Sequence, residues 1–370
     1  MSKPLRLALV GCGAVAEMYH APALALAEEA GRLSVAALVD PDEGRLAALG
    51  RRFPDAARCR DLSEIPADVG LGVVASPVRF HAPQTEALLR RGCAVLCEKP
   101  LCRNADEARS LLSTAEETRQ VVLMGLFRRF FPAAEQIRRL AQAGGALGAP
   151  RSFAVEEGGP FGWPAASASF FDRQTAGGGV LMDIGSHLLD LLAWWFGEVD
   201  EFEYRDDAYG GVESNAEGRL RFKSGVEGTF RLSWDLPTAN EYRIEFERGT
   251  VRWGTGRADR LSLRLDGAEY AFDASLAESR PSRPLGLGAP GRPYLAAFTA
   301  QIGNLVDAAN GSAPPRVGLA DGVANLALIE RLYRARQPLI PAWFTPEEAA
   351  AARRRVDSAG SSASASEAPR

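Results

Sequence analysis

Residues 5–16, with the sequence LRLALVGCGAVA, decide the fold of the N-terminal part of this chain. The first six of them form a mostly apolar run, which is typical of a strand buried on both faces of a parallel sheet. Gly11 and Gly13 follow directly, and a helical pattern begins at Ala14. This order of strand, glycines and helix matches the GxGxxA variant of a dinucleotide-binding turn.

Each small residue of this turn is needed there for a physical reason. Gly11 permits the tight turn out of the strand, and Gly13 lets the backbone approach a pyrophosphate closely. The helix that follows presents free N–H groups to the anion, and Ala16 lets that helix pack close to the sheet. We therefore predict that the cofactor is bound at Gly11, Gly13, Ala14, Val15 and Ala16.

An acidic residue ends the next apolar run, as such a turn requires. Asp40 follows the sequence AALV and lies 24 residues beyond Ala16. A carboxylate at about this distance accepts hydrogen bonds from the adenosine ribose hydroxyls. It also repels a 2′-phosphate, and no arginine follows immediately, so the sequence favours NAD over NADP. The alternative is an aspartate that only caps a turn or a helix.

Working outward from this turn, apolar runs alternate with helical patterns. The runs cover residues 34–39, 71–75, 94–97 and 121–124, and the helical patterns cover residues 14–30, 43–52, 81–91 and 105–119. Strands that alternate with helices of this length indicate βαβ units and a parallel sheet. We therefore predict an N-terminal Rossmann domain in an α/β protein, over residues 1–127.

The pattern changes in the second half of the chain. A helical stretch at 131–143 is followed by period-two alternation at 217–222, 229–234 and 242–247, and by helical stretches at 294–310 and 319–336. Alternation of this kind is typical of antiparallel strands with one face on a core. We predict an α+β domain over residues 128–350 with a largely antiparallel sheet. The low-complexity residues 351–370 are expected to be disordered.

Composition indicates which classes of partner the chain can bind and in which compartment we expect it. The net charge is −4 without a long basic cluster, which argues against nucleic acid. We see neither a signal peptide nor an apolar run long enough to span a membrane, so we expect a soluble, cytoplasmic protein. Five cysteines without a CxxC pair indicate reduced thiols. Cys12, inside the glycine turn, is interpreted as a tolerated position or as an unusually reactive thiol.

Two segments carry residues suited to chemistry on a hydroxyl group. The first is Glu98-Lys99-Pro100, after the run at 94–97, where the carboxyl ends of parallel strands meet and ligands bind. A lysine there can polarise a substrate oxygen or relay a proton. The alternative is a lysine that lies on the surface and has no chemical role.

The second segment, residues 177–190, contains Asp183 and His187 at a spacing that places them on one helix face. The pair can work as acid and base, with the carboxylate orienting the imidazole. A metal pair and a purely structural pair are the alternatives. We expect no metal, because a third ligand with clear spacing is absent from the sequence and hydride transfer needs none.

Taken together, these segments resemble the glucose–fructose oxidoreductase, inositol dehydrogenase and rhizopine-catabolism family over about residues 5–340. The resemblance depends on the glycine turn, Ser76-Pro77 with His81, Glu98-Lys99-Pro100, Arg129-Phe130, the block 177–190 and the late helix from Asp321. Two positions depart from the family pattern: Val78 stands where the family often has asparagine, and Phe127 where it often has asparagine or a similar polar residue. These departures bear on substrate details.

The resemblance implies roles for the chemical residues. Lys99 matches the catalytic lysine, His187 the base that takes the hydroxyl proton, and Asp183 the aspartate that binds substrate and supports the histidine. It also places Ser76, Pro77, His81, Glu98 and Lys99 beside the cofactor. It further implies an open C-terminal sheet whose exposed face joins the chains into homodimers or homotetramers.

The expected activity is an NAD-dependent dehydrogenase acting on a secondary hydroxyl, or its ketone, of a sugar, nucleotide sugar or cyclitol. Trp163 is a candidate to stack on a sugar ring, or else a loop anchor. Arg173 is a candidate to bind a substrate oxygen or phosphate, or else an exposed side chain. Two other functions stay open: a glycoside hydrolase that oxidises its substrate transiently, and an NAD-sensing protein without turnover.

Overall fold

The computed structural model describes residues 4–142, 145–164, 168–274 and 292–364. Its strands are β1 (Leu5–Val10), β2 (Leu33–Val39), β3 (Ala57–Cys59), β4 (Leu71–Val74), β5 (Ala94–Cys97), β6 (Val122–Met124), β7 (Pro150–Gly158), β8 (Val199–Asp206), β9 (Asn215–Phe222), β10 (Glu227–Ser233), β11 (Glu241–Phe246), β12 (Gly249–Gly254), β13 (Arg260–Leu265), β14 (Ala268–Asp273) and β15 (Gln337–Pro338). Its helices are α1 (Ala21–Glu29), α2 (Glu43–Gly50), α3 (His81–Arg90), α4 (Ala105–Thr118), α5 (Pro132–Gln142), α6 (Arg173–Ala176), α7 (Ser186–Phe196), α8 (Arg292–Ala309), α9 (Leu319–Arg334) and α10 (Pro346–Ser364). Short π-helical turns at Ala16–His20 and Leu181–Gly185 lead into α1 and α7.

The first sheet is parallel throughout and has the order β3-β2-β1-β4-β5-β6. All residues of β4 and β5 are buried, as in strands that are covered on both faces. This is the strand order of the Rossmann fold, in which the direction of winding reverses between β1 and β4. The predicted α/β class and parallel N-terminal sheet are confirmed.

The second sheet is largely antiparallel, with the order β14-β13-β12-β11-β7-β10-β9-β8-β15. Only the pairs β7–β10 and β8–β15 are parallel among its described strands. Along β11, Tyr242, Ile244 and Phe246 are buried and alternate with polar residues. Trp195 of α7 packs on this face, with its ring 5.7 Å from the ring of Tyr242. The predicted period-two strands and the largely antiparallel sheet are therefore confirmed.

Sequence patterns missed one strand of the first sheet. β3 has only three residues, and only Cys59 among them is buried. An edge strand this short and this exposed lacks the apolar run by which a buried strand is identified. Its pairing with β2 depends on the neighbouring backbone instead of on its own side chains.

The contacts divide the described chain differently from the predicted boundary at residue 127. One unit comprises residues 4–134, 164 and 292–326, and the other comprises 135–142, 145–163, 168–274 and 327–364. Helix α8 therefore belongs with the first sheet. The Gln301 side chain donates a hydrogen bond to the Met124 carbonyl at 2.9 Å, and Phe298 stacks on Tyr19. Such long-range packing is not visible in the periodicity of α8 itself.

The C-terminal segment also differs from expectation. Helix α10 covers residues 346–364, where the sequence predicts disorder from 351 onward, and residues 365–370 lie outside the described residues. Thr345 begins the helix: its hydroxyl accepts from the Glu348 N–H, and the Glu348 carboxylate accepts from the Thr345 N–H at 2.8 Å. This reciprocal cap, followed by alanines, favours a helix despite the low complexity. None of the helices in the described part of the chain has the length and apolar character needed to cross a membrane.

Candidate active site

The glycine turn of the first unit is fastened to both strands that flank β1. Gly11 has a φ of +90°, and a Cβ there would lie 2.5 Å from the Ser76 backbone nitrogen. Only glycine combines this conformation with so close a backbone contact. The Gly11 N–H also donates to the carbonyl of Val39 at 2.8 Å. The turn is thereby held against the ends of β2 and β4.

Gly13 has a different environment. A Cβ at Gly13 would meet no protein atom within 4 Å. Protein packing therefore does not require glycine here, whereas the close approach of a pyrophosphate does. The Glu17 N–H donates to the Gly13 carbonyl at 2.9 Å and starts the helical segment, in which Ala16 is fully buried. These residues fit a dinucleotide at this turn.

Asp40 is 5% exposed and supports the turn directly. Its Oδ2 accepts the Cys12 N–H at 2.8 Å, and its Oδ1 accepts the Asp42 N–H at 2.9 Å. Each carboxylate oxygen has a second lone pair that can accept a hydroxyl. Asp40 therefore shapes the loop, which was the alternative interpretation, and retains acceptor capacity for a ribose. The Arg45 guanidinium lies 3.9 Å from its Oδ2.

Lys99 follows β5 at the same edge of the first sheet. Because β1, β4 and β5 are adjacent parallel strands, the residues that follow them, Gly11, Ser76 and Lys99, lie along one edge. Ligands of open α/β sheets bind at this edge. The fold thus brings the predicted lysine to the edge that carries the dinucleotide turn.

Glu98 is buried beside Lys99 and is held on several sides. His20 Nε2 lies 2.8 Å from Glu98 Oε1, and the Lys99 N–H donates to Oε2 at 3.1 Å. A Cβ on Gly125 would lie 2.6 Å from Oε2. His20, which has no exposed surface, therefore supports the Glu98 carboxylate. A contact of Glu98 with the cofactor stays a prediction.

His81 holds two loops of this edge together. Its Nδ1 lies 2.7 Å from the Pro100 carbonyl oxygen, and its Nε2 lies 2.7 Å from the Ser76 carbonyl oxygen. The ring is 2% exposed, and burial lowers the pKa of His81 while the two carbonyl contacts oppose that shift. These contacts give His81 a supporting role at this edge, and a contact of His81 with the cofactor stays a prediction.

The second unit carries Asp183 and His187. Asp183 lies in the π-helical turn Leu181–Gly185, and His187 lies in the first turn of α7 and is buried. The sequence predicts one continuous helix face, whereas the structure places a wider turn before the helix. π-Helical turns of this kind are frequent at functional sites. The Ser186 hydroxyl donates to the Asp183 carbonyl at 2.8 Å where the two segments join.

Trp234 is an aromatic neighbour of Asp183 that sequence reasoning treated only as a core residue. Its indole N–H donates to Asp183 Oδ2 at 3.3 Å. The rings of Phe161, Phe170 and Phe171 lie 5.4, 5.4 and 5.9 Å from the indole ring, and Phe171 is 47% exposed. An aromatic surface therefore adjoins the Asp183 carboxylate. Stacking of Trp163 on a sugar ring stays a prediction.

Comparison with family models identifies both halves of the chain. A model described as "Oxidoreductase family, NAD-binding Rossmann fold" matches residues 5–126, and one described as "GFO/IDH/MocA C-terminal domain" matches residues 135–252. A presumed oxidoreductase subunit of a UDP-kanosamine synthase from Amycolatopsis mediterranei is 31% identical over 67% of this chain and 73% of its own length. The chain belongs to the glucose–fructose oxidoreductase, inositol dehydrogenase and rhizopine-catabolism family. The resemblance seen in the sequence is confirmed.

Two further relatives and one solved structure extend this comparison. The rhizopine catabolism protein MocA of Rhizobium meliloti is 28% identical over 88% of this chain and 93% of its own length. A D-glucoside 3-dehydrogenase of Escherichia coli is 31% identical over 53% of this chain, and the match spans about half of that relative, 55%. A solved levoglucosan dehydrogenase in complex with NADH superposes with a TM-score of 0.77 over 90% of this chain and 96% of its own, at 18% identity. That likeness shows the fold alone.

Membership of this family makes the chain an oxidoreductase, and its first unit is the NAD-binding Rossmann unit that the family description names. The prediction that the cofactor is NAD is confirmed by this family description. The residues that hold NAD are argued from the geometry of the glycine turn and Asp40.

Replacing Asp40 by alanine is expected to weaken the use of NAD more than the use of NADP. The change removes the acceptors for the ribose hydroxyls and for the Cys12 N–H, and it leaves the Arg45 guanidinium nearby. Since a hydrogen bond to a charged group contributes about 1.5–3 kcal/mol, kcat/KM for NAD should fall at least about tenfold. The ratio of NADP to NAD use should rise, because the carboxylate no longer repels a 2′-phosphate.

The matched control for this experiment is Asp42→Ala. The Asp42 side chain caps α2 by accepting the Arg45 N–H at 3.0 Å, so its loss should cost about 1 kcal/mol of stability and leave the cofactor preference unchanged. Steady-state kinetics with both dinucleotides make the comparison. Equal NAD preference in Asp40→Ala and the unmodified protein would refute the role of Asp40.

Cys12 does not behave as a reactive thiol. Burial and, to a smaller extent, the nearby Asp40 carboxylate raise the pKa of the Cys12 thiol to about 12. Its thiolate is therefore scarce near neutral pH, and thiolates are the reactive species. The contribution of Cys12 to the site is its backbone N–H, which fixes Asp40.

Proposed function

We propose that this oxidoreductase transfers a hydride between NAD and a secondary hydroxyl, or its ketone, of a sugar, nucleotide sugar or cyclitol. The observation that carries the proposal is Lys99 at the sheet edge that also carries the glycine turn. A cation at this edge suits a substrate whose reacting atom is a hydroxyl oxygen. Relatives named as dehydrogenases of glucosides and inositols support this substrate class.

The catalytic roles follow from the chemistry of the three side chains. Bound NAD supplies the hydride acceptor, and Gly11, Gly13 and Asp40 hold it. The Lys99 ammonium donates a hydrogen bond to the reacting oxygen and stabilises negative charge that develops on it. The His187 imidazole accepts the hydroxyl proton, and the Asp183 carboxylate binds a neighbouring hydroxyl and orients the imidazole.

Trp234 adds a supporting role to this mechanism. Its N–H donor bonds to one oxygen of the Asp183 carboxylate and so helps to hold that carboxylate in place. The aromatic rings around Trp234 suit the C–H face of a pyranose or a cyclitol. Substrate recognition would then combine a carboxylate for hydroxyl groups with an apolar surface for the ring.

The test is NAD reduction by the purified protein with a panel of free sugars, methyl glycosides, inositols and nucleotide sugars. We expect NADH to accumulate with at least one polyol class and to stay at background with primary alcohols. The alternative hydrolase reaction predicts release of chromophore from a chromogenic glycoside without net NADH. Absence of NADH formation and of NAD binding across the panel would overturn the proposal.

We further propose that the chain forms homodimers or homotetramers through the exposed face of the second sheet. This face carries arginines and glutamates paired across strands, such as Arg231 with Glu156 and Arg219 with Glu227, each at 2.9 Å. Sedimentation velocity should show an assembly that the double change Arg219→Glu, Arg231→Glu dissociates. A monomer at micromolar concentration would contradict this. A cytoplasmic location stays a prediction from the sequence.

A further inference from the structure

The glycines that precede Asp183 are required by one side chain and one backbone carbonyl from distant parts of the second unit. A Cβ on Gly178 would lie 2.0 Å from the hydroxyl oxygen of Tyr333. A Cβ on Gly179 would lie 2.0 Å from the carbonyl oxygen of Glu213. A side chain at Gly178 would displace Tyr333 or the backbone that leads to Asp183, and one at Gly179 would force two backbone segments apart.

The buried carboxylate of Glu213 accepts hydrogen bonds from this backbone. Its side chain has no exposed surface, and its Oε1 accepts the N–H groups of Gly179 and Leu181, both at 3.0 Å. The same oxygen accepts the Tyr333 hydroxyl at 2.6 Å. The Glu213 carbonyl accepts the Val180 N–H at 2.9 Å, so three consecutive amides of the turn bond to this one residue.

These contacts reach the reacting groups through the backbone. The Asp183 N–H donates to the Gly179 carbonyl at 3.0 Å, and the π-helical turn of Asp183 continues directly into α7 with His187. Glu213 thus places a carboxylate at the N-terminal end of the segment that carries both residues. Negative charge is favourable there, because the first amides of a helix point toward it.

The surroundings of Tyr333 keep its hydroxyl protonated, so that it can donate a hydrogen bond. Burial and the Glu213 carboxylate raise the pKa of Tyr333 well above its ordinary value, so its hydroxyl stays protonated. Burial likewise raises the pKa of Glu213, while the hydrogen bonds from Tyr333 and Leu181 act in the opposite direction. Asp206 lies in the same buried cluster and is paired with Arg336. The Arg173 guanidinium lies 5.2 Å from the Tyr333 ring, so Arg173 is a neighbour of this cluster.

We propose that Glu213 and Tyr333 form a positioning pair that sets the orientation of Asp183 and His187 for the reaction. The catalytic part of this statement rests on the proposed function. Neither residue acts on the substrate: the pair acts through the amides of Gly179, Val180 and Leu181. This role also explains why the chain has consecutive glycines before Asp183.

The test compares Tyr333→Phe and Glu213→Gln with a matched control, Glu198→Gln. The control removes an exposed carboxylate of the same unit, which pairs with Lys223 at 2.6 Å. Since misplacing a reacting group by about 1 Å costs about a hundredfold, kcat should fall about a hundredfold in Glu213→Gln and about tenfold in Tyr333→Phe. KM for NAD should stay within about twofold, because Glu213 and Tyr333 act through the backbone of the second unit, whereas the glycine turn belongs to the first. The control should match the unmodified protein.

A second readout does not depend on turnover. The chain has three histidines, so the ¹⁵N ring resonances can be assigned by substitution. We expect those of His187 to move in both variants and those of His20 and His81 to stay. If the unmodified protein shows no dehydrogenase activity, the proposed function fails and the His187 resonances still test the pair.

If Glu213→Gln does not fold, Tyr333→Phe, which removes a single hydroxyl, decides the question. The proposal is overturned if folded variants show unchanged kcat and unchanged His187 resonances. It is also overturned if kcat falls equally in Glu198→Gln.

Discussion

Replacing Lys99 by alanine is expected to lower kcat by about a thousandfold while NAD still binds. A positioned acid–base or electrostatic group contributes about 10²–10⁴-fold, and the fold holds the Lys99 cation at the sheet edge that carries the glycine turn. Its amide remains bonded to Glu98 in the variant, so the loop should keep its shape. Stopped-flow and steady-state assays with the best polyol substrate measure the loss.

The chain offers a matched control, because it contains only the lysines Lys3, Lys99 and Lys223. Lys223→Ala removes an exposed ammonium that pairs with Glu198, and it should leave kcat unchanged. Lys99→Arg should remain at least about tenfold impaired, since the planar guanidinium is not equivalent to a compact ammonium. Fluorescence titration with NADH checks cofactor binding. Full turnover in Lys99→Ala would remove the lysine from the mechanism.

Replacing His187 by alanine is expected to lower kcat by about 10²–10⁴-fold, the range for loss of a general base. The imidazole is buried next to the turn that carries Asp183, whereas His20 lies against Glu98 and His81 lies between two backbone carbonyl oxygens, so we expect neither to take its place. The fall in rate toward acid pH that reflects protonation of the base should disappear from the residual activity. Measuring kcat over the accessible pH range tests this.

Added imidazole provides the control for His187→Ala, because a small base that fills the cavity should restore part of the rate. His187→Gln, which keeps most of the volume, should be as slow and should not respond to imidazole. If His187→Ala retains both its rate and its pH profile, the proton must leave by another group. Loss of NAD binding in the same variant would instead indicate a folding defect.

Local sequence was sufficient to predict the fold class of the first unit and its cofactor. Residues 5–16 combine a buried strand, two glycines and a helix start, and each of these is decided by contacts between near neighbours in the chain or by ligand approach. Asp40 could be singled out because it ends the next strand. The role of Asp40 as an acceptor for the Cys12 N–H was not visible, since that bond joins two strand ends.

The second unit shows how much can be predicted from the spacing of residues in the sequence. Asp183 and His187 were chosen by their separation and their similarity to a family block, and the structure places them in consecutive segments, with a π-helical turn in place of regular helix. Trp234 was assigned to the core because it alternates with Phe230 and Leu232. Alternation reports which face a residue occupies, and it cannot report that the indole N–H meets a carboxylate.

The sequence by itself indicated the Rossmann class of the cofactor unit and its NAD cofactor, and it supplied the candidates for the chemical side chains. These follow from short-range patterns: apolar periodicity, glycine at a turn, and an acid at a strand end. Only the tertiary structure decided how those groups are supported. Glu213 lies 34 residues from Gly179, and Tyr333 lies 120 residues from Glu213. A buried carboxylate oxygen that is bonded by donors so far apart in the chain leaves no periodic trace, because its partners meet only after the sheet and helices have packed.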